Sequence, residues 1–398
     1  MEKKTYLTYV LVLGSLTALG PFSIDMYLPG FEDIAKGLGT SVGNVALSLS
    51  SYFIGISLGQ LLYGPLLDRY GRKKPLYAGL ALYLVATAIC MKATDINTLI
   101  ILRFVQAVGS CAAQVAAMAM VRDLFGPRES AKVFSLLLLV LGVSPMIAPT
   151  AGGYIVINFG WRAIFLALLV LGACIMLLTI FFLPESHKAD PDFSLKPGPI
   201  VRNFLSVLRD RQFIVFVLVQ SLAFSGLLAY VAGSPIVFMD IFHVDKKVYG
   251  WIFAFLSVAF IGLSQFNSLF LQKYSSERII GVALTGQMIV ALLFLGGNLM
   301  GWYGLKETIF FVFLFLGCLG FTNPNATALA LAPFSKNAGS ASALLGALQM
   351  GIGALVSIAV GAFQDGTANP MILAMAVPSV FAWIILVVGR RKNTSQPV

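Results

Sequence analysis

Apolar residues fill this chain in long runs separated by short polar turns, and the run lengths predict its elements. A helix crossing a bilayer needs ~20 mostly apolar residues, because a rise of ~1.5 Å per residue must cover a hydrocarbon core ~30 Å thick. Twelve runs qualify: 6–28, 44–63, 75–92, 98–121, 133–157, 162–183, 212–238, 248–270, 279–297, 308–331, 338–363 and 370–389. All are predicted to be helices, since lipid offers backbone groups no partner and a helix pairs them within itself. The first run follows Lys3 and Lys4 as a signal peptide would. It is too long for such a segment and lacks a small-residue cleavage site, so it is read as a retained span.

The longest connector, 185–211, follows Pro184, carries Pro191, Pro197 and Pro199, and mixes charges. It divides the chain into a six-span bundle over 1–184, a linker, and a second six-span bundle over 212–398. Ile200, Val201, Phe204, Leu205 and Leu208 give the linker one apolar helical face, read as a tether lying on the bilayer surface. Asp68-Arg69-Tyr70 after span two has an echo in Gln272-Lys273-Tyr274 after span eight, as an internal repeat would.

Composition agrees: 58% of the 398 residues are hydrophobic and 11% charged, against ~25% charged in a typical soluble domain. The net charge of +10 sits in short turns between spans, which argues against a nucleic-acid partner. Short cationic loops stay in the cytoplasm. With both termini placed there, twenty of the 27 Lys and Arg fall in inside segments and six outside, leaving Arg103 within a span. The expected location is a membrane crossed many times, with both ends in the cytoplasm. Cys90, Cys111, Cys174 and Cys318 lie inside apolar runs without a C-x-x-C pair, and His187 and His243 are the only histidines. No metal site, cofactor, catalytic set or disulfide framework is expected, and a membrane enzyme or receptor is not the reading.

Charges inside a bilayer are costly and mark function. Asp25 lies four residues before Pro29, near the outer end of span one. Arg103 is six residues into span four, so helical rise places the two at similar depths. Asp25 is read as a proton site, with Arg103 opposing the effect of poor hydration on its carboxyl. The alternatives are a static Asp25–Arg103 ion pair or an acid exposed at the outer mouth. For Arg103 the alternative is helix packing through backbone carbonyls. Arg103, Gln106, Ser110 and Gln114 share one helical face. Together with Tyr27, Gln220, Tyr230, Asn323 and Gln349 they are candidates either for lining a substrate cavity or for joining helices. Span five carries Gly142, Pro145, Pro149, Gly152 and Gly153, read as a hinge or as a small-residue packing face.

Between spans two and three runs Gly64-Pro-Leu-Leu-Asp-Arg-Tyr-Gly-Arg-Lys-Lys-Pro75, a short basic loop. It resembles the Gly-x-x-x-Asp-Arg-x-Gly-Arg-Lys/Arg signature of the major facilitator superfamily of secondary transporters. Leu102-Arg103 to Gly109 resembles the arginine motif of its proton-driven members. Span five resembles the Gly-Pro-rich motif of its exporters, although Ala148 stands where a glycine is usual. Pro21 to Pro29 and Gly339 to Gln349 resemble the Bcr/CflA branch of drug–proton antiporters.

The resemblance implies an all-α fold of two six-helix bundles around a central cavity. It also implies efflux of small amphipathic drugs such as phenicols, driven by a proton gradient without a cofactor, in a monomer. Gly64, Asp68, Arg69, Gly71, Arg72 and Asp123 would form a conformational latch, with Arg69 or Arg72 paired to Asp123 and Asp68 capping span eleven. Asp25 and Arg103 would couple protons to transport. Import of a sugar, amino acid or other metabolite is the alternative within the same fold.

Overall fold

A computed structural model describes residues 3–190, 195–334 and 338–391; Pro191, Lys336 and Lys392 lie outside them. The described chain is helical, without a strand. The long helices are α1 (Lys3–Asp25), α3 (Val42–Tyr70), α4 (Lys73–Cys90), α5 (Ile96–Leu124), α6 (Pro127–Phe159) and α7 (Arg162–Phe182). After the linker come α9 (Arg211–Pro235), α10 (Lys246–Leu271), α11 (Ser276–Leu299), α12 (Leu305–Leu331), α13 (Ala338–Ala362) and α14 (Asn369–Arg391). Two shorter helices complete the order: α2 (Phe31–Gly37) and α8 (Pro197–Leu208). The twelve long helices correspond to the twelve predicted spans, and eleven are long and apolar enough to cross a membrane. The exception is α4, which opens with Lys73 and Lys74, so its apolar part is short.

The chain divides into two compact units. One comprises residues up to Ser41 with Ser51–Val201, the other Val42–Ser50 with residues from Arg202 onward. In the first, α1 packs on α5, α6 and α7, and α4 on α5 and α7. In the second, α9 packs on α12, α13 and α14, while α12 also meets α10 and α11. Large apolar side chains cover the outside: Leu11, Ile101, Phe181, Trp251, Val282 and Leu355 are all more than 60% exposed. Such a surface is stable only in lipid. This is a multi-pass membrane protein.

One expected element is corrected. The basic stretch from Gly64 to Pro75 is not a twelve-residue loop. Helix α3 runs through Pro65 to Tyr70, and only Gly71 and Arg72 separate it from α4. The termination is local: Gly71 has φ +80°, a left-handed conformation that glycine adopts without a side-chain clash. In span five, Pro145 and Pro149 remove two backbone donors, yet α6 remains one helix of 33 residues. In the linker, α8 buries Val207 while Val201 and Leu205 are exposed.

Helices α4 and α5 cross at very short range. A methyl group on Gly109 would lie 2.6 Å from the Tyr83 nitrogen and 2.7 Å from the Gly79 carbonyl oxygen. Small residues allow such approaches, and dispersion between the backbones stabilises them. Gly109→Ala is therefore expected to lower the thermal unfolding midpoint of the detergent-solubilised protein, at a cost of about 1–3 kcal/mol. Gly20→Ala, where the added methyl meets nothing within 4 Å, is expected to leave it unchanged.

Candidate functional site

Asp25 is the last residue of α1 and only 5% exposed. No described hydrogen bond or ion pair joins its carboxylate to Arg103, so the static pair considered from the sequence is not the arrangement found. Arg103, completely buried on α5, is held another way. Its Nη1 donates to Gln106 Oε1 at 2.6 Å and its Nη2 to the Ser23 carbonyl at 3.0 Å. Its guanidinium carbon lies 4.4 Å from the Tyr27 ring centre and 4.3 Å from that of Tyr52. Two aromatic faces and a carbonyl thus stand in for an anion. A desolvated cation–π contact contributes ~2 kcal/mol.

The same network reaches further. Gln106 Nε2 donates to Thr87 Oγ1 at 2.8 Å on α4. The Ser23 and Tyr83 hydroxyls are 2.8 Å apart, and those of Tyr52 and Ser110 are 2.7 Å apart. The cation therefore grips the end of α1 at Ser23 and the turn beyond it at Tyr27, on both sides of Asp25. Of the predicted polar face of span four, Arg103, Gln106 and Ser110 are buried in this network, and Gln114 is half-buried. The sequence did not single out Tyr52, Tyr83 or Thr87. They lie on other helices, and no spacing along the chain links them to Arg103.

The second unit gathers amides instead of charges. Gln220 Nε2 donates to Asn323 Oδ1 at 3.0 Å and to Thr327 Oγ1 at 2.8 Å. Gln349 Nε2 donates to the same Asn323 oxygen at 3.2 Å. Three predicted cavity residues from α9, α12 and α13 thus meet at one acceptor, beside Pro324 in α12. Tyr230 lies outside this cluster, stacked on Phe253 with ring centres 5.5 Å apart. Gln220 Oε1 is buried without a described partner, leaving an acceptor open in an uncharged environment.

At the α3–α4 turn, Arg72 is 8% exposed and pairs with two acids. Its Nη1 lies 2.8 Å from Asp68 and its Nε 2.8 Å from Asp123 at the end of α5. Burial works against the Arg72 charge, but the hydrogen bonds to Asp123 and Asp68 outweigh it and raise its pKa above the ordinary value. Of the two arginines offered by the sequence, Arg72 is the one that reaches Asp123. Arg69 instead donates to the Asp190 carbonyl at 3.2 Å.

Glu185, which the sequence gave no reason to choose, completes this cluster. It lies just beyond α7 and accepts from the backbone N–H groups of Arg72 at 2.8 Å and Lys73 at 3.1 Å. These open α4, where unpaired donors and the helix dipole favour an anion. Lys73 Nζ in turn donates to the Leu183 carbonyl at 2.6 Å, and Ser186 Oγ to Asp123 at 2.9 Å. A side chain at position 71 would press on the Glu185 carboxylate, so Gly71 supplies room as well as its turn. Among the described residues, no group of three His, Cys, Asp or Glu is placed to hold a metal.

Residues 13–358 match the family described as Major Facilitator Superfamily. The chain belongs to this superfamily. It is 33% identical over 388 residues to a bicyclomycin resistance protein homolog of Haemophilus influenzae, covering 97% of both chains. To the uncharacterized MFS-type transporter YdgK of Bacillus subtilis it is 35% identical over 95% of its length and 94% of the relative's. The multidrug resistance protein MdtL of Klebsiella pneumoniae is 28% identical, with 98% and 97% covered. The crystal structure of a D-xylose–proton symporter shares the fold at a TM-score of 0.74 with 13% identity, over 95% of this chain and 97% of that one.

For this superfamily member the turn cluster yields a graded expectation. Glu185→Ala removes two acceptors from the start of α4, and a lost helix cap costs about 1–2 kcal/mol. Arg72→Ala leaves Asp68 and Asp123 facing each other without their cation and is expected to cost more. Thermal unfolding of the solubilised variants checks the order, with Glu185→Gln between wild type and Glu185→Ala.

Proposed function

We propose that this transporter exports small amphipathic drugs in exchange for protons, by alternating access. The observation that carries the proton part is Asp25. It is a nearly buried acid at the end of a membrane helix, gripped on both sides by Arg103 yet not neutralised by it. The relatives named for bicyclomycin and multidrug resistance support a drug as cargo. Their names favour export over metabolite import, on which the likeness to a sugar symporter has no bearing, being one of fold alone.

In this cycle Asp25 takes a proton from outside, which weakens cargo held nearby, and gives it up toward the cytoplasm to restore binding. Arg103 couples the two events through its hold on Ser23 and Tyr27. Tyr27, Gln106, Ser110 and Gln114 are the cargo-contact candidates of the first unit, and Gln220, Tyr230, Asn323 and Gln349 are those of the second, each taken by itself. Gly64, Asp68, Arg69, Gly71, Arg72 and Asp123 act as the latch, and α6 as the flexing element at Gly142, Pro145, Pro149, Gly152 and Gly153. The excess of cationic loops supports an inner-membrane protein with both termini in the cytoplasm. The working form is a monomer that needs no cofactor and catalyses no covalent step.

Asp25→Asn tests the reading in proteoliposomes. Drug-induced proton release, with chloramphenicol as the probe, is expected to fall to that of empty vesicles. Release and concentrative transport at wild-type levels would sink the proton role.

A further inference from the structure

The end of α1 does not stand free. Met26 donates its N–H to the Phe22 carbonyl at 3.1 Å, continuing the helical turn just beyond Asp25. Leu28–Gly30 then form a single 3-10 turn, buried throughout. This segment lies in a seat built by α6 and α7. Met26 packs with Ala148 and Val156 of α6 and with Ile164 and Leu168 of α7. At Gly30, a methyl group would lie 2.9 Å from Ile164 and 3.5 Å from Val156.

The tightest point is Gly152. A Cβ there would collide with the carbonyl oxygen, carbonyl carbon and Cα of Met26, the residue bonded to Asp25. A flexible side chain swings aside from such a collision, whereas a peptide group must move as a whole and takes its neighbour with it. On the other side, Arg103 fixes the same segment through the Ser23 carbonyl and the Tyr27 ring. Asp25 is therefore clamped between a polar grip from α5 and an apolar seat on α6.

We propose that Gly152 is a positioning residue for Asp25: by admitting the Met26 backbone against α6, it sets where the Asp25 carboxyl stands. This gives one glycine of the span-five motif a function distinct from bending the helix. Any displacement of α6 at Gly152 is delivered to the acid, and any shift of the acid's peptide is delivered to α6. The charged and titratable groups around this end of α1 are Arg103 of α5, Tyr52 of α3, Tyr83 of α4 and Tyr27 of the turn. The α6 and α7 residues packed on Met26 are all apolar, so the seat acts by shape.

The inference rests on the reading of Asp25 as the proton acid, and its test separates the two. Full-length Gly152→Ala is reconstituted in proteoliposomes with chloramphenicol as the probe. Two quantities are measured: drug counterflow, which needs no proton gradient, and protons released per drug bound. Protons released per drug are expected to fall by a larger factor than counterflow, whatever part of the counterflow is lost with the flexing of α6. Ile164→Ala loosens the same seat without a collision and is expected to give the same split in milder form. If both quantities fall by the same factor in both variants, or proton release stays at the wild-type ratio, the positioning role is overturned. Failure of both variants to insert would also overturn it, by making the seat a requirement of folding. Asp25→Asn in parallel shows which claim has failed: wild-type proton release there overturns the proton role itself, whereas its loss beside an unaffected Gly152→Ala overturns only the seat.

Discussion

The first unit is arranged around a buried positive charge. Removing a guanidinium from water is tolerable only when dipoles and aromatic faces replace the lost hydration. Arg103 obtains them from four helices and a turn: the Ser23 carbonyl at the end of α1, the Tyr27 ring just beyond it, Tyr52 from α3, Gln106 on its own helix, and through Gln106 the Thr87 hydroxyl of α4. The charge therefore dictates how these helices meet. Its Nε still lacks a described partner, so the hydrogen bonding is incomplete.

The two units solve the problem of polarity in lipid differently. The first concentrates Asp25 and Arg103 with several hydroxyls; the second uses Gln220, Asn323, Thr327 and Gln349, all uncharged. Neutral amides lose less on burial than charges do, and each can donate and accept. The charged network and the amide cluster thus fall in separate units of the chain.

Much of this was legible in the residues. Span number and type follow from the apolar runs, because lipid forces the backbone into helices. Asp25 and Arg103 stood out because a charge among apolar residues is conspicuous. What was not legible is who touches whom. Because their depths agree, the sequence left a static Asp25–Arg103 pair open as an alternative, but depth along a helix says nothing about the direction a side chain takes. Tyr52, Tyr83 and Glu185 escaped notice because their roles come from neighbours far along the chain. The turn at Gly71 was overestimated for a related reason: Pro65 and a run of charges look like loop chemistry, although a helix tolerates both near its end.

The Glu185 contacts have a mechanical meaning. Residues 183–190 leave α7, yet they are fastened to the start of α4, to Asp123 at the end of α5, and to Asp68 and Arg69 at the end of α3. The tether joining the two halves is thus anchored to a bracket spanning three other helices. A pull on residues 183–190 is carried by α3, α4 and α5 together, as a strap sewn to a frame loads the frame.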